Sequence, residues 1–102
     1  MTLSSQQKKH FRTIGHKLKP VSTLGSKGLS DAFLAELERA MEDHELIKIK
    51  IAAQDRSEKA ALTEKIKQHT EAEVVQAIGH TLLLYRPAKK PDPRKSNLLR
   101  QL

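Results

Sequence analysis

The segment Gly25-Ser26-Lys27-Gly28 has residue types and a spacing that suit it to chemistry, and the chemistry is anion binding rather than bond making. Two glycines three positions apart allow backbone conformations closed to other residues and let an anion come close to the chain. Lys27 supplies a flexible cation between them, and Ser30 with Asp31 directly after reads as the capped start of a helix, whose first amides attract negative charge. Two glycines around a turn also occur for purely geometric reasons. What favours a phosphate grip is the setting: a lysine inside the loop, a helix cap after it, and an acid-free segment before it.

Other chemistries find no support. The chain has no cysteine, so thiolate nucleophiles, disulfides and cysteine-bearing zinc sites are excluded. His10, His16, His44, His69 and His80 form no close pair with an acid at ligand spacing, and no nucleophile motif or nucleotide-binding loop is visible. Neither an enzyme, a metal, a cofactor nor a small-molecule substrate is expected. Met1 to Gln7 lacks the apolar core of a signal peptide and no apolar run approaches the ~20 residues of a membrane span, so a cytoplasmic protein without membrane contact is expected.

The elements that hold the loop can be read in turn. Ser4 with Gln7 has the form of a capping box, and Phe11, Ile14 and Leu18 recur at helical spacing, which predicts a first helix over 5–18 with Lys8, Lys9, Arg12 and His16 away from the Ile14 side. Pro20 stops it. Val21 to Leu24 reads as a short strand running into the loop. Phe33, Leu34, Leu37, Ala40 and Met41 predict a second helix ending near His44, with Leu29 stapled against Leu34. The period then drops to two: Ile47, Ile49 and Ile51 share one face, Lys48 and Lys50 the other. Asp55 to Glu58 opens a third helix reaching about His69 with a stripe of Ala61, Leu62, Lys65, Ile66 and His69. Two strands, 73–78 and 81–86, flank a tight turn at Gly79-His80. The order α-β-α-β-α-β-β predicts one compact α/β domain over 1–87 with a mixed four-stranded sheet. Residues 88–102 read as a flexible basic tail, with Leu98, Leu99 and Leu102 able to form a terminal turn.

Charge divides along the chain. Lys and Arg number 19 against 12 Asp and Glu, a formal net charge of +7. Residues 1–30 hold no acid, 31–75 hold most of the acids, and 76–102 hold Asp92 alone. A polyanion-facing surface built from the chain ends is expected, with the acidic middle covering the other side. Lys8, Lys9, Arg12 and Lys19 form an uncompensated set favouring phosphate contacts. Lys48 and Lys50 either line that surface or keep a strand face soluble; Arg86 either joins it or is an ordinary surface arginine. With Phe11, Phe33 and Tyr85 the sole aromatics, and Tyr85 read as core, stacking platforms for sequence reading are missing, so shape and backbone recognition should dominate.

The run Leu18-Lys19-Pro20-Val21, then Leu24-Gly25-Ser26-Lys27-Gly28-Leu29, then His44 to Lys50, and finally Ile78-Gly79-His80-Thr81 to Pro87 resembles the CRM domain (chloroplast RNA splicing and ribosome maturation). More specifically it resembles the bacterial stand-alone YhbY-like proteins, over about residues 3–87. That resemblance implies an RNA-binding α/β fold similar to the C-terminal domain of translation initiation factor three, a bacterial cytoplasmic setting, and a role in ribosome biogenesis on precursors of the large ribosomal subunit. It places the family's RNA-contacting GxxG loop on Gly25, Ser26, Lys27 and Gly28, with Ser26 where family members often carry a base. The expected partner is ribosomal RNA. The alternative is a protein-interaction adaptor in ribosome assembly using the acidic surface of the second and third helices.

Overall fold

The computed structural model describes residues 3–25 and 28–99. Among them run α1 (Ser5–Gly15), β1 (Ser22–Leu24), α2 (Asp31–His44), β2 (Leu46–Ile51), α3 (Arg56–Thr70), β3 (Glu73–Ile78) and β4 (Thr81–Tyr85), the order expected from the sequence. The strands form one mixed sheet in the order β1-β2-β4-β3, with β1 parallel to β2 and the other two pairings antiparallel.

The helix starts follow their caps. Ser4 accepts from the Gln7 amide at 3.1 Å while the Gln7 side chain accepts from the Ser4 amide at 2.9 Å, a complete capping box. Ser30 accepts from the Phe33 amide and Asp55 from the Glu58 amide in the same way. Helix α1 ends at Gly15 rather than Leu18, because the amides of Lys17 and Leu18 turn back to the carbonyls of Ile14 and Gly15 in tightened bonds. Leu18 nonetheless packs with the α1 cluster, which is why the apolar spacing continues past the helix end. In α3 the expected stripe is partly displaced: Leu62 and Ile66 pack, but Ala61, Lys65 and His69 do not join the core and Thr70 takes the buried place. Thr70 can be buried because its hydroxyl donates to the Ile66 carbonyl at 2.7 Å.

Two cores lie on opposite faces of the sheet. On the back, Ile47, Ile49 and Ile51 of β2 meet Leu37 and Met41 of α2 and Ile66 of α3. On the front, Leu46, Val75 and Leu83 meet Leu3 and Phe11, with Phe11 and Tyr85 rings 4.8 Å apart. Strand β2 is therefore covered on both faces at its start. Its Lys face is not wholly solvated as alternation alone suggested: Leu46 lies beneath α1, Lys48 is half-buried and Lys50 is exposed. Burial lifts the Tyr85 phenol pKa above its ordinary 10.0, aided by the charges of Glu45 and Glu73.

A bulge sets the face of the last hairpin. Val74 pairs with Leu84 and Gln76 with Leu83, so Val75 is the extra residue. Without it Gln76 and Ile78 would share the back face with Val74; the insertion turns both to the front.

The C-terminal segment packs instead of hanging free. Glu45, buried and at φ 62°, accepts from the Ala88 amide at 2.9 Å and from the Ser96 hydroxyl at 2.7 Å. The Asn97 side chain donates to the Leu46 carbonyl at 2.7 Å, the His44 ring donates through Nδ1 to the Lys95 carbonyl, and Leu98 joins the front core. The flexibility expected from prolines and charge is thus overridden through Leu99 by a buried carboxylate with two partners in that segment. Leu99 does close a turn onto Ser96, as anticipated; Leu102 lies outside the described residues.

At Gly15 a Cβ would sit 2.6 Å from Leu83 Cδ2, so α1 lies directly on the sheet there. Leu83 is buried and has little room to yield. Gly15→Val is expected to lower stability by about 2 kcal/mol in urea unfolding, the usual cost of overpacking a core, and Leu83→Ala in the same chain should recover part of it.

Candidate functional site

The loop stands where β1 runs out. Leu24 pairs with Ile51, Thr23 with Lys50, and the Ala52 amide donates to the Leu24 carbonyl, so Gly25 emerges beside the end of β2. The Gly28 amide donates to the Gly25 carbonyl at 3.1 Å, closing a four-residue turn, and Gly28 holds φ 72°, a region that only glycine enters freely. Ser26 and Lys27 lie outside the described residues.

This closure narrows the expected anion grip. The Gly28 amide is spent on the turn and the Phe33 amide on the Ser30 side chain. The remaining first-turn amides of α2, those of Asp31 and Ala32, stand beside the Asp31 carboxylate. Among the described residues, the turn and the helix cap leave few amides free for an anion.

The expected cations separate into groups. Lys50 is level with Thr23 at the loop end, and Lys48 sits one pleat back beside Gly15 and His16. Lys8, Lys9 and Arg12 lie along α1, whose Phe11 rests on Tyr85 at the opposite end of β4 from Thr81. From Lys9 to the loop end is on the order of 20 Å along helix and strand. Lys19 lies near the start of β1, where Lys17, Val21, His44 and Asn97 line a shared cavity with it. None of Lys8, Lys9, Arg12, Lys17, Lys19, Lys48 or Lys50 has an ion-pair partner among the described residues. Together they make a track across the front rather than a single point.

Arg86 does not belong to that track. Its side chain lies on the back of the sheet, where Nη1 donates to Glu38 Oε2 at 2.7 Å and to the Thr70 carbonyl at 3.0 Å. The sequence placed it at a strand end without saying which face it takes, and the alternation after inward-facing Leu84 and front-facing Tyr85 decides it. The acids of α2 are largely engaged within the chain: Glu38 holds Arg86, Glu42 accepts from the amides of Lys89 and Lys90, and Glu45, just past the helix end, holds Ala88 and Ser96. Asp43 lies 3.9 Å from Lys95.

Sequence reasoning missed Gln76, Ile78 and Thr81, which share the front with Lys48. No pattern in the sequence discloses the bulge that brings Gln76 and Ile78 there. Among the described residues no group of three or more His, Asp or Glu side chains could hold a metal ion, and no helix is long and apolar enough to cross a membrane.

A front rich in unpaired cations, opposite a back on which Glu38, Glu42 and Glu45 are held within the chain, gives this small α/β domain the electrostatics of a polyanion binder. The chain belongs to the CRS1 / YhbY (CRM) domain family, whose profile matches residues 3–86. It is 45% identical over 100 residues to a protein of Pseudomonas aeruginosa named a probable RNA-binding protein, covering 98% of this chain and 96% of that one. It is 45% identical over 97 residues to an RNA-binding protein of Haemophilus influenzae, covering 92% and 98%. The solution structure of a Staphylococcus aureus protein superimposes with a TM-score of 0.75 at 28% identity, over 87% of this chain and 93% of that one.

Because the Arg86–Glu38 pair is only partly shielded from water, Arg86→Ala is expected to lower stability by about 1 kcal/mol. Chemical denaturation checks this, and a loss several times larger would mean that the arginine carries more of the back layer than its hydrogen bonds imply.

Proposed function

We propose that this protein is a non-catalytic, cytoplasmic RNA-binding factor that holds ribosomal RNA during assembly of the large ribosomal subunit. The observation that carries the RNA half is the run of unpaired cations on the front of the sheet, from Lys8, Lys9 and Arg12 on α1 to Lys48 and Lys50, with the Gly25–Gly28 turn at the loop end. Its relatives' names, RNA-binding proteins of two bacteria, support the same reading. The ribosomal half rests on the family resemblance.

Recognition of the backbone suits this surface. Cations spread over a distance on the order of 20 Å meet successive phosphates, and each phosphate neutralised adds to the salt dependence of binding. The adaptor reading loses ground because Glu38, Glu42 and Glu45 already hold parts of this chain, leaving fewer acids in and beside α2 for a partner.

Binding of the purified protein to large-subunit ribosomal RNA fragments, measured across salt concentrations, tests the proposal. The wild type should show a steep fall in affinity with salt. A Lys9→Ala, Arg12→Ala, Lys27→Ala variant should bind more weakly with a log–log slope lower by roughly 2 to 3, since each phosphate neutralised adds about 0.7 on a single strand and about 0.9 on a duplex. An unchanged slope in a correctly folded variant would overturn the assignment of those residues.

A further inference from the structure

The front of the sheet carries a feature that a backbone track does not need. Helix α1 stops at Gly15, partway across the sheet, and a cavity of about 160 Å³ opens where helix ends and sheet continues. A cavity of this size can admit a single planar ring. Leu83 forms part of its wall and Ile78 stands beside it, 58% exposed, the most exposed large apolar side chain among the described residues.

Two of the polar groups there are neutral and two-sided. Gln76 brings a side-chain amide with both donor and acceptor, and that amide has no hydrogen-bond partner among the described residues. The Thr81 hydroxyl donates to the Ile78 carbonyl at 2.8 Å, which leaves its lone pairs open to a donor. His16 also lines the cavity. The cavity adjoins the C-terminal end of α1, where the helix dipole weakens the hold of Lys48 on an anion inside it. Lys48 at the rim and Lys50 one pleat on suit the phosphates on either side of a ring placed inside.

We propose that this cavity receives the base of one unpaired nucleotide, extruded from an RNA helix whose backbone lies on the cationic track. The proposal rests on the RNA-binding reading and adds what that reading lacks, a means of telling a bulged or looped RNA from a uniform duplex. Apolar Ile78 and Leu83 with the His16 ring contact the face of the base, and Gln76 and Thr81 meet its edge. Because Gln76 can rotate its amide, the pocket favours an unpaired base over a particular base identity.

Two RNA hairpins identical except for one bulged nucleotide, a 2-aminopurine, separate the possibilities when their affinities are measured at one low salt concentration. The wild type should bind the bulged hairpin about tenfold more tightly, as expected when one base is buried against apolar side chains, and the 2-aminopurine fluorescence should change on binding. A Gln76→Ala, Ile78→Ser variant should bind both hairpins as the wild type binds the uniform one, with no fluorescence change. Equal wild-type affinity for the two hairpins, or a preference that survives in the variant, overturns the pocket while leaving the backbone track standing. Failure of the wild type to bind either hairpin overturns the RNA-binding reading itself.

Discussion

Strand β2 has to serve two different layers, and most of the molecule's surface chemistry follows from how it does so. Ile47, Ile49 and Ile51 face α2 and α3 and are fully buried, so that side is fixed. On the other side Leu46 lies under α1, whereas Lys48 and Lys50 step out from beneath the helix end. The helix can lie this close because Gly15 brings no side chain against Leu83. A helix one or two turns longer would cover Lys48 and the neighbouring cavity and would leave only a charged rim.

Charge is sorted by the same sheet. The acid-free start of the chain builds α1 and the front, while the acids of α2 gather on the back and beside the C-terminal segment. There they are used: Glu38 against Arg86, Glu42 and Glu45 against residues 88–96. Glu45 holds both a positive φ and a buried carboxylate, a costly combination that is tolerated because the C-terminal segment satisfies both of its oxygens. Holding Glu38, Glu42 and Glu45 within the back layer leaves few acids to compete with the front cations.

The element order, the caps at Ser4, Ser30 and Asp55, the mixed sheet and the two-residue turn at Gly79-His80 were legible because each has a local cause: a hydroxyl or carboxylate at the right spacing, a change of period, a glycine at φ 55°. What lay beyond reach depended on contacts between distant residues. The docking of Ser96 and Asn97 is decided by Glu45 and Leu46, each 51 residues away, and the flexible composition of the tail gives no sign of it. The destination of Arg86 depends on Glu38. The cationic set was visible as residue types, yet its arrangement as a track from α1 to the loop end, and the bulge that adds Gln76 and Ile78 beside it, exist only once the sheet is assembled.

If RNA meets the front of the sheet and not the back, backbone amide chemical shifts followed by NMR during titration with a large-subunit ribosomal RNA hairpin should report it directly. Perturbations are expected to concentrate at His16, Thr23, Gly25, Gly28, Lys48, Lys50 and Thr81, with Glu36, Glu64 and Glu71 on the helical back unmoved. Perturbations centred on α2 and α3, with the front silent, would contradict a front-facing RNA interface.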